Sequence, residues 1–490
     1  MKRRDFLKLA GVTTAGTWIS GVGAHAESAP SSRPNVVIFF LDDSGYGDYS
    51  YNGNPTINTP NITKLKQDGV NFSQFYVTTA ACSASRYALL TGRYPGRSGL
   101  GSWVIGPDAK RYLHDKEITL ANGFKSKGYT TGMFGKWHLG TPNKGNNFAP
   151  ESLPPAHGFD SWIGTNVSND YDNAMLMKSD PDGNDPIPGY SVIAKNLPTN
   201  TKASESLTGC YTDAAVDFIK TNKDKPFFAY IAHNMPHLGI YASDQFKGRS
   251  RRGLLGDVMA EIDDSVRRVR DALEEAGIDK NTLIIFSSDN GPWVKFRDIR
   301  YKDHPKYGEA RMRVGYAMPF RDGKGSTWEG GHRVPGIFCW PGTIPANRVE
   351  QSPASTLDVL PTVFAIAGVD LPKDRSIDGR DIRPLLMPDK ASGSVEPFCF
   401  FYHYYDNKPS AIRKGPWKLH IRIGSQTGDN YGFEASREKP LLFQVEQDIS
   451  ERIDRADEHP EIVKELLADL ETFEKQLAAE GSFWNSSQKT

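Results

Sequence analysis

Short runs of apolar residues that end in polar clusters recur along the 490-residue chain. Four of these runs cover residues 35–41, 129–134, 226–232 and 283–286. Continuous apolar runs of this length are typical of strands buried on both faces, as in a parallel sheet. The pattern therefore predicts a buried sheet whose strands lead into polar clusters.

Helical spacing of apolar residues separates these runs. Thr59-Pro60 has the form of a helix N-cap followed by proline at the first helical position. The apolar residues from Leu254 to Leu273 keep the period of an amphipathic helix, which Gly277 is suited to end. Strands that alternate with helices predict a large α/β domain with a mostly parallel sheet flanked by helices.

The pattern changes after residue 395. Residues 399–402 and 417–421 are typical of antiparallel strands, and a charged amphipathic helix is predicted over 461–477. We therefore place a large domain at residues 27–395 and a smaller C-terminal α+β domain, with antiparallel strands and a helix, at residues 396–490.

Residues 1–26 have the pattern of an export signal. Arg3-Arg4 opens a twin-arginine motif, and Ala24-His25-Ala26 fits a signal-peptidase site. The apolar stretch between them is shorter than the ~20 residues that a membrane span needs. We expect the twin-arginine (Tat) export machinery to carry the folded chain to the periplasm or out of the cell. The mature protein would begin near Glu27 and contain no integral membrane segment.

Composition and charge narrow the classes of partner. Lys+Arg and Asp+Glu both number 59, so the formal net charge is zero and gives no reason to expect nucleic acid. Residues 1–26 contain four basic residues and one acidic residue, so the mature chain carries a net charge of about −3. Four cysteines in 490 residues exclude a disulfide-dense scaffold. Folding in the reducing cytosol before export predicts free thiols.

Polar residues of several chemical types follow the predicted strands. Because ligands of open α/β sheets bind beyond the carboxyl ends of the strands, we expect these residues to converge. Residues that offer only oxygen ligands are Asp42, Asp43, Asp289 and Asn290. Residues that offer cationic donors are Lys136, His138, His237 and Lys324.

The types of these residues indicate the chemistry of the site. Oxygen ligands suit Ca²⁺ or Mg²⁺ rather than Zn²⁺. A divalent ion with several cationic donors would neutralise a sulfate or phosphate ester and its transition state.

Cys82 is the candidate nucleophile. It lies where a loop leads into a predicted helix, and a helix N-terminus is a suitable place to hold an oxyanion. A lone cysteine is more often a small buried apolar residue. The neighbouring Ser83, Ser85 and Arg86 indicate a polar setting instead.

The segment Cys82-x-Ala84-Ser85-Arg86, followed by Leu90-Thr91-Gly92-Arg93, resembles the signature of the type I sulfatases in the alkaline phosphatase superfamily. Further motifs of that family match in order at 42–48, 135–140, 234–237, 288–291, 323–331 and 441–451. The resemblance implies an alkaline-phosphatase-like mixed sheet, mostly parallel, and a hydrolase of sulfuric esters. It covers nearly all of the mature chain.

The resemblance also implies roles for the candidate residues. A maturase would oxidise Cys82 to formylglycine, whose hydrate attacks the sulfur. Ala84 stands at a position where proline is commoner in the family, and alanine there resembles the subset of sulfatases converted by a radical-type maturation system.

The implied metal ligands are Asp42, Asp43, Asp289, Asn290 and the converted Cys82, with Ca²⁺ favoured over Mg²⁺. Lys136 and Lys324 would hold the sulfate oxygens, and Arg86 would orient the hydrate. His237 would protonate the leaving alcohol, and His138 would accept the proton of the second hydroxyl.

The substrate is read from weaker signals. Export, the basic clusters at 247–252 and 311–313 and the family together suggest a sulfated oligo- or polysaccharide, such as a marine galactan of the carrageenan type. An aryl or alkyl sulfate is an open alternative, as is a phosphate or phosphonate monoester hydrolysed by the same superfamily. A third alternative is a non-catalytic glycan binder that keeps an unconverted Cys82.

Overall fold

A computed structural model describes residues 33–101, 103–106, 109–140, 149–172, 174–404 and 406–486. The predicted export signal at residues 1–26 lies outside these ranges. Among the residues within them, every helix is too short or too polar to cross a lipid bilayer.

Strands and helices alternate along the first two thirds of the chain. The strands are β1 (Asn35–Leu41), β2 (Val70–Phe72), β3 (Phe75–Tyr76), β4 (Thr130–Gly135), β5 (Ser161–Thr165), β6 (Leu176–Asn184), β7 (Pro188–Ala194), β8 (Phe227–Ala232), β9 (Thr282–Ser288), β10 (Arg333–Val334), β11 (Gly336–Cys339), β12 (Arg348–Glu350), β13 (Ala354–Ser355), β14 (Cys399–His403), β15 (Pro409–Lys414), β16 (Trp417–His420) and β17 (Leu441–Gln444). The helices are α1 (Pro60–Gln67), α2 (Cys82–Thr91), α3 (Leu120–Ser126), α4 (Thr201–Glu205), α5 (Leu207–Asn222), α6 (Leu254–Glu275), α7 (Ala310–Arg313), α8 (Glu329–His332), α9 (Val359–Ala367), α10 (Arg383–Leu386), α11 (Pro460–Glu480) and α12 (Phe483–Ser486).

A ten-stranded mixed sheet has the strand order β12-β2-β11-β9-β1-β8-β4-β5-β6-β7. The five strands from β9 to β5 in this order run parallel to one another. Antiparallel pairs lie on either side, at β11 with β9 and β2 and at β6 with β5 and β7. The predicted α/β fold with a mixed, mostly parallel sheet is therefore confirmed.

The apolar run of β1 serves two hydrophobic cores. Val36, Ile38 and Phe40 belong to the core that includes residues of α2, α3 and α9. Val37, Phe39 and Leu41 belong to the opposite core, which includes residues of α1, α5 and α6. Successive side chains of a strand point to opposite faces, so a run that is apolar throughout must be covered on both. This arrangement explains why the strand lacks polar alternation.

The predicted boundaries of several elements are close to the observed ones. β1 spans the predicted run, α1 begins at Pro60, and α6 begins at Leu254. The helix α6 ends at Glu275, two residues before the predicted stop at Gly277, which has a left-handed φ of 70°. Cys82 is the first residue of α2, as the loop-to-helix pattern predicts.

The C-terminal region forms its own sheet of four antiparallel strands, in the order β14-β15-β16-β17. Leu466, Leu470 and Phe473 of α11 pack in the hydrophobic core shared with this sheet. The predicted α+β character of this region is confirmed, whereas the boundary between residues 395 and 396 stays a prediction. Cys210, Cys339 and Cys399 are free thiols, as expected, and Cys82 forms no disulfide either.

Candidate active site

The candidate site lies at the carboxyl ends of the central parallel strands. Because β9, β1, β8 and β4 are neighbours and parallel, the segments that follow them meet at one edge of the sheet. These segments carry Asp42 and Asp43 after β1, Lys136 and His138 after β4, His237 after β8, and Asp289 and Asn290 after β9. All of these side chains are buried.

Cys82 lies at the centre of the group, at the N-terminus of α2. Its thiol donates a hydrogen bond to Asp42 Oδ1 at 3.1 Å, and Lys324 Nζ lies 3.3 Å from its Sγ. Burial, together with the negative charges of Asp289 and Asp42, raises the pKa of the thiol well above its ordinary value. The thiol therefore stays protonated at neutral pH.

Two lysines contact the two adjacent aspartates. Lys136 Nζ makes a short hydrogen bond to Asp42 Oδ2, and Lys324 Nζ donates to Asp43 Oδ1 at 2.7 Å. Burial disfavours the Asp42 carboxylate, but the positive charges of Lys136, His237 and Arg86 hold its pKa well below the ordinary value. The site is therefore built from buried pairs of opposite charge.

Arg86 connects two parts of the site. Its Nε and Nη2 donate to Asp289 Oδ2 at 3.1 and 2.8 Å, and its Nη1 donates to the carbonyl oxygen of Lys136 at 3.2 Å. Burial and the nearby Asp42 raise the pKa of Asp289 to about 7, against the opposing charges of Arg86 and Lys136. The fork of the guanidinium fixes the segment after β9 against the segment after β4.

Backbone strain accompanies two of the functional side chains. Asp43 and His138 adopt left-handed φ angles of 62° and 55°, which are costly for residues with a Cβ. Both ring nitrogens of His138 are buried without a hydrogen-bond partner among the described residues. Burial and the charge of Lys136 lower the pKa of His138 well below its ordinary value. This imidazole is therefore neutral and free to exchange a proton.

His237 faces the metal-binding candidates from the end of β8. Its Nδ1 makes a short contact with the carbonyl oxygen of Leu238, and its Nε2 lies 3.7 Å from Asp43 Oδ2. Burial and the charge of Lys324 lower its pKa. The ring centroid of Trp293 lies 5.4 Å from that of His237, so an aromatic surface borders this side of the site.

The side chains around the two aspartates could hold a cation. Ligand atoms of Asp42, Asp43, Cys82 and His237 all lie within 4.8 Å of one another. Asp43 Oδ2 and Asn290 Oδ1 are buried without a hydrogen-bond partner among the described residues. Unpaired buried oxygens of this kind are costly unless a cation or water satisfies them. These donors therefore suit a hard divalent ion.

Asp289 differs from the other predicted ligands. Its Oδ1 accepts a hydrogen bond from the backbone N–H of Asp43 at 3.1 Å, and its Oδ2 accepts two from Arg86. The geometry thus groups His237, rather than Asp289, with Asp42, Asp43 and Cys82. The full ligand set stays a prediction.

Two further residues of the site, Ser168 and Asp170, were not predicted from the sequence. Ser168 Oγ lies 3.2 Å from Lys136 Nζ. Asp170 Oδ2 accepts a hydrogen bond from the hydroxyl of Tyr307 at 2.7 Å. The negative charge of Asp170 also opposes the lowering of the pKa of His237. Both residues follow β5, the parallel neighbour of β4, so the rule that located the other residues would have found them had β5 been recognised.

Close backbone packing supports the arrangement. A Cβ on Gly291 would lie 1.8 Å from the carbonyl oxygen of Gly330, and Gly291 N–H donates to the carbonyl oxygen of Gly331 at 3.0 Å. Only glycine permits this approach between the segment after β9 and the segment that carries Lys324.

Both regions of the chain match known protein families. The Sulfatase family matches residues 34–369, and the family described as the C-terminal region of aryl-sulfatase matches residues 396–489. An arylsulfatase from Hemicentrotus pulcherrimus is 37% identical over 425 residues, which cover 85% of this chain and 73% of that protein. An N-acetylgalactosamine-6-sulfatase from Mus musculus is 34% identical over 472 residues, covering 89% and 84%.

A solved structure extends the likeness to the fold. The crystal structure of Ps i-CgsB in complex with k-i-k-neocarrahexaose has a TM-score of 0.68 and 26% sequence identity, covering 90% of this chain and 93% of that one. The family matches together span most of the described residues, and they agree with the ordered motifs around Cys82. This chain belongs to the sulfatase family, whose members hydrolyse sulfate esters.

Proposed function

We propose that this chain removes sulfate from a sulfated carbohydrate, with Cys82 converted to formylglycine and a divalent cation bound beside it. The observation that carries the proposal is the contact of Cys82 Sγ with both Asp42 and Lys324 at the N-terminus of α2. A sulfate ester placed there would meet cationic donors on several sides.

The cation would be held by Asp42, Asp43, Asp289, Asn290 and the converted residue 82, which leaves Nε2 of His237 available for proton transfer. The unpaired oxygens of Asp43 and Asn290 support this assignment. Oxygen-rich ligands of this kind suit Ca²⁺, and Mg²⁺ is the alternative. The ion would supply positive charge that neutralises the ester and its transition state.

The chain's own cationic residues would divide the remaining work. Lys136 and Lys324 would hold the sulfate oxygens, because both ammonium groups already lie at the two aspartates beside Cys82. Arg86, fixed by Asp289, would orient the side chain of residue 82. These contacts would position the ester before any bond breaks.

Two histidines would transfer protons in different steps of the reaction. His237 would donate a proton to the leaving alcohol oxygen, since it lies beside Trp293 at the border of the site. His138, which is buried and has two unpaired ring nitrogens, would accept the proton from the hydroxyl of residue 82 that expels sulfate. The hydrate of formylglycine would supply that hydroxyl, which a thiol lacks. Ala84 supports conversion by a radical-type maturase.

A carbohydrate is the substrate class that the relatives support best. The mouse relative is named for a sulfated amino sugar, and the structural relative is in complex with a carrageenan-type oligosaccharide. In this chain Trp293 places an aromatic ring next to His237, where the sugar of the leaving alcohol would lie. Aromatic faces stack well on the apolar faces of sugar rings.

The experiment combines peptide mass spectrometry with a release assay. The chain is expressed with a maturase, and the peptide containing Cys82 is examined for the mass change of formylglycine. Release of sulfate is then measured on defined sulfated oligosaccharides, on an aryl sulfate and on phosphate esters of the same alcohols. We expect sulfate from the oligosaccharides. Faster release of phosphate would favour a phosphomonoesterase. An unconverted Cys82 and no turnover after expression with the maturase, with glycan binding retained, would favour a glycan binder.

Two variants test the assigned residues. Lys324→Ala and His237→Ala should each reduce turnover about 100-fold or more while the protein stays folded, because each removes a charge or proton used in the transition state. Lys64→Ala is the control, since Lys64 pairs with Asp68 on the exposed face of α1. Near-normal rates in both variants would contradict the assignment.

We also propose that the chain reaches the periplasm or the medium in folded form through its twin-arginine motif. Replacing Arg3 and Arg4 with lysine should leave full-length precursor in the cytoplasm, as fractionation with an antibody would show. Normal export of that variant would contradict this route.

A further inference from the structure

A segment beside the active site carries an excess of positive charge. Residues 293–323 contain eight lysines and arginines and four aspartates and glutamates, a net of +4 in a chain whose overall charge is zero. The adjoining residues 247–252 add four basic residues and no acidic one. The two segments are in contact, because Arg252 Nη1 donates to the carbonyl oxygen of Met312 at 2.6 Å.

Several of these cations lack a carboxylate partner. No carboxylate of the described residues forms an ion pair with Arg251, Lys295, Lys302, Arg311 or Arg313, which we define as the basic surface. Arg311 Nε is also buried without a hydrogen-bond partner in the described part of the chain. Three cations elsewhere do have carboxylate partners: Lys64 pairs with Asp68, Arg267 with Asp264 and Asp271, and Arg268 with Asp213. The basic surface is thus positioned to meet negative charge from outside the chain.

The basic surface is continuous with the wall of the active site. Arg313 Nη1 donates to the carbonyl oxygen of Tyr307 at 3.0 Å, and the hydroxyl of Tyr307 donates to Asp170 at 2.7 Å. The ring centroids of Trp293 and Tyr307 are 6.3 Å apart, and Trp293 contacts His237. A polymer whose ester reaches His237 would therefore extend towards the unpaired cations.

Exposed apolar side chains accompany the charges. Ile299, Met312 and Met318 are 67%, 53% and 67% exposed, and they are three of the eight large apolar residues exposed in the described ranges. Apolar side chains among cations suit a ligand with apolar ring faces and anionic substituents, which describes a sulfated sugar chain. Nucleic acid also carries regular negative charge, so the test must separate the two.

We propose that the basic surface binds sulfate groups of the polymer beyond the sugar that carries the scissile ester. This inference rests on the proposed sulfatase activity towards carbohydrates and narrows it to chains with several sulfates. Each exposed contact of this type contributes up to about 1 kcal/mol, or about fivefold in affinity. Salt should weaken the contacts, because Arg251 and Lys302 are exposed and the other three cations are only half-buried.

The test compares two triple variants with the same loss of charge. Arg251→Gln/Lys302→Gln/Arg311→Gln removes three charges of the basic surface. Arg267→Gln/Arg268→Gln/Lys64→Gln removes three paired charges elsewhere and is the control. With converted enzyme at low salt, the ratio of kcat/KM for a sulfated hexasaccharide to that for a monosulfated monosaccharide should fall about tenfold in the first variant, and salt should reduce the difference. An unchanged ratio in an active enzyme would overturn the inference while leaving the proposed function intact.

A binding experiment does not depend on turnover. The chain is prepared without maturase, so that Cys82 stays a thiol, and calorimetry measures the affinity for the sulfated hexasaccharide and for single-stranded DNA of equal charge. We expect the first triple variant to weaken hexasaccharide binding about tenfold and the control variant less than twofold. Equal losses in the two variants, or tighter binding of the DNA, would overturn the inference even if the sulfatase activity itself failed.

Discussion

The fully buried Lys418 of β16 gives the sharpest test of how the C-terminal sheet supports the active site. Its Nζ lies 3.0 Å from Glu329 Oε1 and 2.9 Å from Glu451 Oε1, and all three side chains are inaccessible to solvent. Glu329 begins α8, five residues after Lys324, and its backbone N–H donates to Glu451 Oε2 at 2.7 Å. Burial opposes ionisation of Glu329, but Lys418, Arg333 and Arg413 lower its pKa to about 2.

Lys418→Met removes the charge and keeps most of the side-chain volume. Breaking a buried ion pair by removing one partner costs about 3–5 kcal/mol, because the remaining carboxylates are left uncompensated. Lys414→Met is the matched control: Lys414 of β15 also contacts two carboxylates, Glu465 at 2.7 Å and Asp469 at 2.8 Å, but its side chain is 40% exposed. Exposed pairs contribute about 0–1 kcal/mol, so the two variants should differ by about 2–5 kcal/mol in the free energy of unfolding.

Equilibrium unfolding in urea measures both variants under the same conditions. Lys418→Met should also lower the turnover number for sulfate release, because Glu329 fixes the segment that carries Lys324. Adding Glu451→Gln should cost less in this variant than in the wild type, since the two residues are coupled. Equal losses of stability in Lys418→Met and Lys414→Met would refute the reasoning.

Two further predictions concern residues near the active site. Gly291→Ala should abolish activity and lower stability because its Cβ would lie 1.8 Å from a backbone oxygen, whereas Gly106→Ala, with no atom within 4 Å, should leave both unchanged in the same assays. Burial raises the pKa of Asp48 to about 7. Between about pH 4 and pH 7 the folded state therefore keeps a proton that the unfolded chain releases. The free energy of unfolding should accordingly fall as the pH rises through this range. Asp48→Asn should remove about 3 kcal/mol of this decline in the free energy of unfolding, as equilibrium unfolding at several pH values would show. The same pH dependence in the variant and the wild type would contradict this prediction.

The sequence was most informative where strands are buried on both faces. After Asn35, the run that forms β1 is apolar at every position from Val36 to Leu41, so its limits and its place in the sheet could be predicted. The rule that ligands bind beyond strand ends then connected Asp42 with Lys136, His237 and Asp289 across nearly 250 residues of sequence. No local pattern could have done this, because each segment alone is typical of a turn.

The sequence was least informative where burial is not accompanied by apolar character. The hairpin of β6 and β7 is largely polar and partly exposed, so no apolar run marks it. Ser168 and Asp170 follow the short strand β5, whose Gly and Ser residues hide its strand character. Lys418 is charged, and charged residues are almost never fully buried unless they are paired, so its position depends on partners distant in the chain.

The pairing of buried charges also determines how the site can receive an anion. In the described structure Lys136 and Lys324 donate to Asp42 and Asp43, the same carboxylates that would hold a divalent cation. Removing charges from water costs several kcal/mol per ion unless opposite charges compensate, so each ammonium group needs a partner at every stage. A cation at the two aspartates would release the lysines from that role, and the sulfate oxygens would take it over. We therefore predict that metal binding and substrate binding at this site are coupled, so that each should be weaker without the other.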